Sequence, residues 1–123
     1  MATRAELGEV QAERRGDVAV LRLLGEHDMA NVGLLRGAIA AHIEAGEGVV
    51  VSLVSTQFID ASVVRTLFDG DQELRTRGRR LTLHVATEDV VRRVLEITGL
   101  TDELPSTGSL EEALAGAARG EIG

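Results

Sequence analysis

The run Val49-Val50-Val51-Ser52-Leu53-Val54-Ser55-Thr56-Gln57-Phe58-Ile59-Asp60-Ala61-Ser62-Val63-Val64-Arg65-Thr66-Leu67-Phe68 passes from one periodicity to another. Val49 to Val54 is a continuous apolar, β-branched run, which suits a strand buried on both faces. From Val63 the apolar residues Val63, Val64, Leu67, Phe68 and Leu74, with Asp71 among them, recur at three- and four-residue intervals, the spacing of one helix face stopped at Gly78. Phe58-Ile59-Asp60-Ala61-Ser62 joins the two, so a serine hydroxyl falls where a helix begins. Unpaired N–H groups and the positive end of the helix dipole tolerate an added phosphate there, making Ser62 a candidate switch residue. The plainer reading of Ser and Asp at such a place is a helix N-cap.

The same alternation extends outward. Val18 to Leu24 is a second strand, preceded by the turn Arg14-Arg15-Gly16-Asp17 and a weaker alternating segment from Leu7 to Glu13, which together predict an antiparallel hairpin. After Gly25-Glu26-His27-Asp28, the residues Val32, Leu35, Ile39 and Ile43 share a helix face that ends near Gly46 and Gly48, with Asp28 as N-cap. Leu81 to Val85 is the next strand. A helix from Glu88 to Thr98 carries Val90, Val91, Val94, Leu95 and Ile97 and is stopped by Gly99. Ser109-Leu110-Glu111-Glu112 has the spacing of a capping box opening a last helix through Ala113, Leu114 and Ala117, which Gly116 and Gly120 to Gly123 weaken. Strand alternating with helix predicts an α/β fold: a mixed, largely parallel sheet with an N-terminal antiparallel hairpin and right-handed crossover helices. Val51, Leu53, Leu67, Leu83 and Leu95 are the expected core.

Composition narrows the function. The 123 residues suit one domain, with a core spanning about residues 7–118, and 44% hydrophobic with 27% charged residues is the balance of a compact fold. A net charge of −7, thirteen basic residues that are all arginine, and Phe58 and Phe68 as the only aromatics leave neither a basic groove nor a stacking platform for nucleic acid. Cysteine is absent, which removes disulfides and thiolate chemistry and fits a reducing compartment. No stretch approaches the ~20 apolar residues of a membrane span, so the expectation is a cytoplasmic protein without a membrane partner.

In order along the chain, Gly25-Glu26-His27-Asp28 resembles the G-E-L-D turn of STAS domains of the anti-sigma factor antagonist type. Phe58-Ile59-Asp60-Ala61-Ser62 resembles that family's F-x-D-S-S signature, and Gly99-Leu100 with Ser109-Leu110-Glu111-Glu112-Ala113-Leu114 is similar to its closing G-L…S-x-E-E-A-L. The resemblance runs from about Val18 to Leu114. It implies a STAS-like fold and a non-enzymatic binding protein that captures an anti-sigma factor of the serine-kinase type. That kinase would phosphorylate Ser62 and a metal-dependent serine phosphatase would reverse the step. The implied partner-binding residues are Asp28, Asp60, Ala61, Ser62 and Val63, with no cofactor and with homodimerisation left open. Three positions depart from the family pattern: Ala61 replaces its first serine, Val63 stands where glycine is usual, and Ser52 where aspartate often is. The alternative implied function is a STAS docking subunit of a signalling or transporter complex that is not phosphorylated.

Other chemistry finds little support. His27, His42 and His84 are scattered without ligand spacing and are expected at the surface, in a turn, on a helix's polar side and facing outward from a strand. Glu88-Asp89 and Glu111-Glu112 fall in first helical turns, where carboxylates complement the dipole. Arg75, Arg77, Arg79 and Arg80 gather at the end of the second long helix, where cations suit the opposite end and could also dock an acidic partner. No phosphate-binding G-x-x-x-x-G-K-[ST] loop and no lysine occur, which excludes a P-loop enzyme.

Overall fold

The computed structural model describes residues 8–86 and 89–119. Leu7, Glu88 and the closing Gly120 to Gly123, named above as element ends or frayed parts, lie outside the described residues. Strands β1 (Glu9–Arg15) and β2 (Val18–His27) form the expected antiparallel hairpin, paired from Glu9↔Leu24 to Arg15↔Val18. Helix α1 (Val32–Glu44), strands β3 (Gly48–Ser52) and β4 (Thr56–Ile59), helix α2 (Ala61–Arg75) and strand β5 (Leu81–His84) follow. Helices α3 (Val90–Ile97) and α4 (Leu100–Glu103), strand β6 (Ser106–Thr107) and helix α5 (Leu110–Arg119) complete the chain. The sheet order is β1-β2-β3-β5-β6, parallel after the hairpin, with β4 paired to β2. The fold is the mixed α/β arrangement that the alternation predicts.

The stretch expected as one strand to Val54 is two. β3 ends at Ser52, and Val54 is exposed in a turn. The chain then re-forms as β4 on the same edge of β2, with Gly25↔Thr56 and His27↔Ile59 in register and the Gly25 N–H donating to the Ser55 carbonyl at 3.3 Å. A register shift between Gly25 and Glu26, with Gly25 at φ 81°, carries β2 past the break. β2 thus runs far enough to carry the turn that follows it to the start of α2.

The main core lies between the sheet and α1, α2, α3 and α4, and the expected Val51, Leu53, Leu67, Leu83 and Leu95 are all fully buried in it. On α3, Val91 and Leu95 point into it, while Val90 and Ile97 are exposed. The opposite sheet face is covered by α5 through Val18, Val20, Val50, Ala113 and Ala117. Small residues let this helix approach closely. A Cβ on Gly48 would stand 2.6 Å from the Ala117 carbonyl oxygen, and Thr82 Oγ1 donates to the Ala113 carbonyl at 2.9 Å.

Asp71 sits fully buried on the core side of α2. Its carboxylate accepts from Arg80 Nε and from the Leu81 N–H, both at 3.0 Å, and Arg80 reaches on to the Glu103 carbonyl at 2.8 Å. Arg77 pairs with Glu44 and Glu73. Arg80 and Arg77 of the arginine cluster therefore clamp α2 to its neighbours. The expected capping box is only half present: Ser109 Oγ accepts the Glu112 N–H at 3.2 Å, but the Glu112 carboxylate takes the Thr107 hydroxyl at 2.6 Å.

Leu67→Ala and Leu95→Ala each remove a fully buried side chain from the main core, and each is expected to destabilise the protein by about 2 to 5 kcal/mol in chemical denaturation. Melts unchanged by both would contradict this packing.

Candidate functional site

Helix α2 begins two residues earlier than the periodicity suggests, because Asp60 is its N-cap. With extended backbone (φ −116°, ψ −174°), Asp60 turns its side chain back over the first turn. Its Oδ1 accepts the Ser62 N–H at 2.9 Å, the Val63 N–H at 3.2 Å and the Ser62 hydroxyl at 2.5 Å. Its Oδ2 accepts the Met29 N–H at 3.0 Å. One carboxylate thus caps α2, holds the Ser62 hydroxyl and ties the turn after β2 to both. Burial alone would raise its pKa. The hydrogen bonds from Ser62 Oγ and from the N–H groups of Val63, Met29 and Ser62 outweigh that and hold it below the ordinary 3.8.

Asp28, expected as the N-cap of α1, does not cap it. The cap position belongs to Asn31, and the Asp28 carboxylate accepts the Ala30 N–H at 2.9 Å. Asn31 closes the turn from its own end: its Oδ1 accepts the Asp28 N–H and its Nδ2 donates to the Glu26 carbonyl, each at 2.9 Å. Behind this turn Gly8, at φ 78°, comes so close that a Cβ would collide with the Glu26 carbonyl and the Asn31 amide. Two short side chains and a glycine fix the loop that presents Met29.

The residues singled out from the sequence therefore converge, with one exception. Asp60 and Ser62 are half-buried at the start of α2 beside exposed Ala61, and Asp28 is half-buried in the turn that Asp60 anchors. Val63 is fully buried in the main core, so its side chain is not available to a partner; only its N–H takes part, as a donor to Asp60. Met29, which the sequence did not mark, is 77% exposed next to this network. An exposed methionine in a tight polar turn is the signal that could have found it.

The histidines differ from expectation. His27 is fully buried at the end of β2 because the strand continues through it, with Nε2 3.1 Å from the Leu24 carbonyl. His42 is half-buried and contacts the buried Glu47 at 2.6 Å, which Arg14 meets from the hairpin. His84 lies beside Ser52, Nδ1 to Oγ 3.0 Å, on the α5 side of the sheet, and burial lowers its pKa. Among the described residues no three His, Asp or Glu side chains group as a metal site, and no helix is long and apolar enough to cross a membrane. Open grooves flank α2: one of about 350 Å³ lies against α1, and one of about 510 Å³ against the α3–α4 corner near Phe68 and Leu100.

The model of the STAS domain matches residues 9–113. The chain belongs to the STAS domain family. A solved anti-sigma factor antagonist from Mycobacterium paratuberculosis is 21% identical, with 96% of this chain and 99% of that one covered at a TM-score of 0.82. The anti-sigma factor antagonist SpoIIAA in its unphosphorylated form is 23% identical over 91% of this chain and 99% of its own, at 0.69. The phosphorylated form of the Bacillus cell fate determinant SpoIIAA is 23% identical over 87% and 97%, at 0.64. At these identities the likeness establishes the shared fold. No curated protein matches the sequence significantly.

Asp60→Ala removes the cap of this STAS domain together with the tie to Met29. Loss of the cap is expected to cost about 0.5 to 2 kcal/mol, and hydrogen exchange at the Met29, Ser62 and Val63 amides should quicken. Because the folded carboxyl titrates below 3.8, the stability it contributes is present above that pH and is lost as the pH falls through the folded value. Equal acid sensitivity in wild type and Asp60→Ala would show that the carboxylate does not act this way.

Proposed function

We propose that this STAS domain is an anti-sigma factor antagonist without catalysis of its own, that it captures an anti-sigma factor of the serine-kinase type with the start of α2, and that phosphorylation at Ser62 switches it off until a serine phosphatase removes the phosphate. The observation that carries the reading is Ser62, half-buried at the N-terminus of a 15-residue helix, with exposed Met29 and Ala61 beside it. An apolar side chain next to a phosphorylatable hydroxyl suits a surface that must bind in one state and repel in the other. A phosphate adds about −1.5 to −2 charges at neutral pH. Beside Asp60, on a chain of net charge −7, that charge would oppose an acidic or apolar partner patch. Asp28, Asp60, Ala61, Ser62 and Met29 form the proposed contact surface. The fold neighbours include SpoIIAA in unphosphorylated and phosphorylated forms, so this architecture accommodates a phosphorylated state.

A second reading, a docking subunit that is never phosphorylated, is favoured by the engagement of the Ser62 hydroxyl with Asp60 at 2.5 Å and by the stiff, buried Val63 that follows it. The two readings separate by substitution. Ser62→Glu is expected to keep the fold, since a carboxylate near a helix N-terminus gains about 0.3 to 1 kcal/mol, and to lose binding to the cognate kinase. Ser62→Ala should bind and become insensitive to ATP. Binding that ignores Ser62→Glu would remove Ser62 from the interface; loss of binding by Ser62→Glu without phosphorylation of wild type would leave docking alone.

A further inference from the structure

Directly behind the Ser62 site lies a histidine that the site does not use. His27 closes β2, fully buried, in register with Ile59 of β4 and two residues before Met29. Its Nδ1 is the one buried side-chain polar atom among the described residues that makes no well-formed hydrogen bond, although the Glu9 carbonyl of β1 lies near the ring. A buried polar atom without a good partner is costly, and this imidazole, whose one well-formed bond is Nε2 to the Leu24 carbonyl, is held in place chiefly by the packing around it.

We propose that His27 is a positioning residue for the Ser62 site and makes that site acid-sensitive: the buried neutral ring fixes the end of β2, and with it the turn from which Met29 reaches Asp60, whereas a proton on the ring releases that turn. The inference rests on the Ser62 end being the docking surface, and adds a means of regulating it that needs no kinase.

The groups that meet the ring decide the direction. Burial disfavours its charged form and lowers its pKa below 6.5; the carbonyls of Leu24 in β2 and Glu9 in β1, and the charge of Asp28, pull the other way and do not prevail. From β4 its partner in register is the apolar Ile59, and the next residue, Asp60, already spends its carboxylate on Met29, Ser62 and Val63. α1 enters through its turn, where the Asp28 carboxylate is bonded to the Ala30 N–H. A histidine whose pKa is lowered in the closed form takes up a proton more readily when the turn opens. The closed turn is therefore fully favoured above 6.5 and progressively less so as the pH falls from there through the folded value.

Nitrogen–proton correlation spectra of the labelled full chain from about pH 7.5 to about pH 5.5 test this without any partner. The amide resonances of Met29, Ser62 and Val63 should shift together, with the midpoint of the His27 ring and below 6.5. In His27→Leu those shifts should vanish across the same range, and His27→Gln serves equally if the leucine variant does not fold. His84→Gln, which alters the histidine beside Ser52, should leave them in place. Amides that stay fixed in wild type, or that titrate alike in His27→Leu or His27→Gln, overturn the proposal. The outcome is separable from that of the docking reading: a Ser62→Glu protein that still binds its kinase refutes docking through Ser62 while the titration stands, and fixed amides refute the acid switch while docking stands.

Discussion

The site depends on one carboxylate held in four hydrogen bonds. Asp60 joins segments that are 31 residues apart in sequence, the turn after β2 and the first turn of α2. Each donor alone would contribute about 0.5 to 1.5 kcal/mol, and charge on the acceptor strengthens all of them. The geometry matters more than the sum. Because the same side chain fixes Met29 and Ser62, neither can be repositioned without disturbing the other, so an event at the serine is felt in the neighbouring loop.

That coupling requires β2 to be long. A strand ending at Leu24, as its apolar run suggests, would stop short of the residues that pair with β4. Gly25 allows the strand to pass a register shift, and Glu26 and His27 continue it to the edge of the site. The break between β3 and β4 is the matching device on the other side. By leaving the sheet for Leu53 to Ser55 and returning as a four-residue strand, the chain brings Asp60 level with the turn at Asp28. The position of the serine is thus a consequence of how two strands share one edge of a third.

The sequence made legible what periodicity encodes: the hairpin, the parallel strands β3 and β5, the helices α1, α2, α3 and α5, and a core whose five named residues are fully buried. It did not show β4, because four residues with only their end positions buried carry no alternation strong enough to read beside a turn. The short α4 and β6 escaped for the same reason. Capping was misassigned at α1, where Asp28 and Asn31 are both good caps by residue type and only the backbone decides between them. His27 was expected at the surface because a histidine beside Glu26 and Asp28 looks like part of a polar turn. Its burial follows from tertiary pairing with β4, which local pattern does not contain. Asp71 among apolar helix residues is understandable only with Arg80 and Leu81 in view.

On the proposed reading, a phosphate at Ser62 meets two opposing terms of similar size. The helix N-terminus favours an anion by about 0.3 to 1 kcal/mol, up to about 2 in partly buried geometry. Against this, two unit charges 4 Å apart repel by about 1 kcal/mol in water and about 4 kcal/mol at the effective dielectric of a protein surface. Ser62 Oγ lies 2.5 Å from Asp60 Oδ1, and esterification removes the hydroxyl proton that makes this contact favourable. A phosphate carrying more than one charge would tip the balance toward repulsion and compete with Asp60 for the N–H groups of Ser62 and Val63. The carboxylate that gives way is the one holding Met29. Phosphorylation would then act twice, by placing charge on the docking surface and by loosening the loop that completes it, whereas a substitution such as Ser62→Glu, whose longer side chain can turn away from Asp60, would reproduce the first effect more fully than the second.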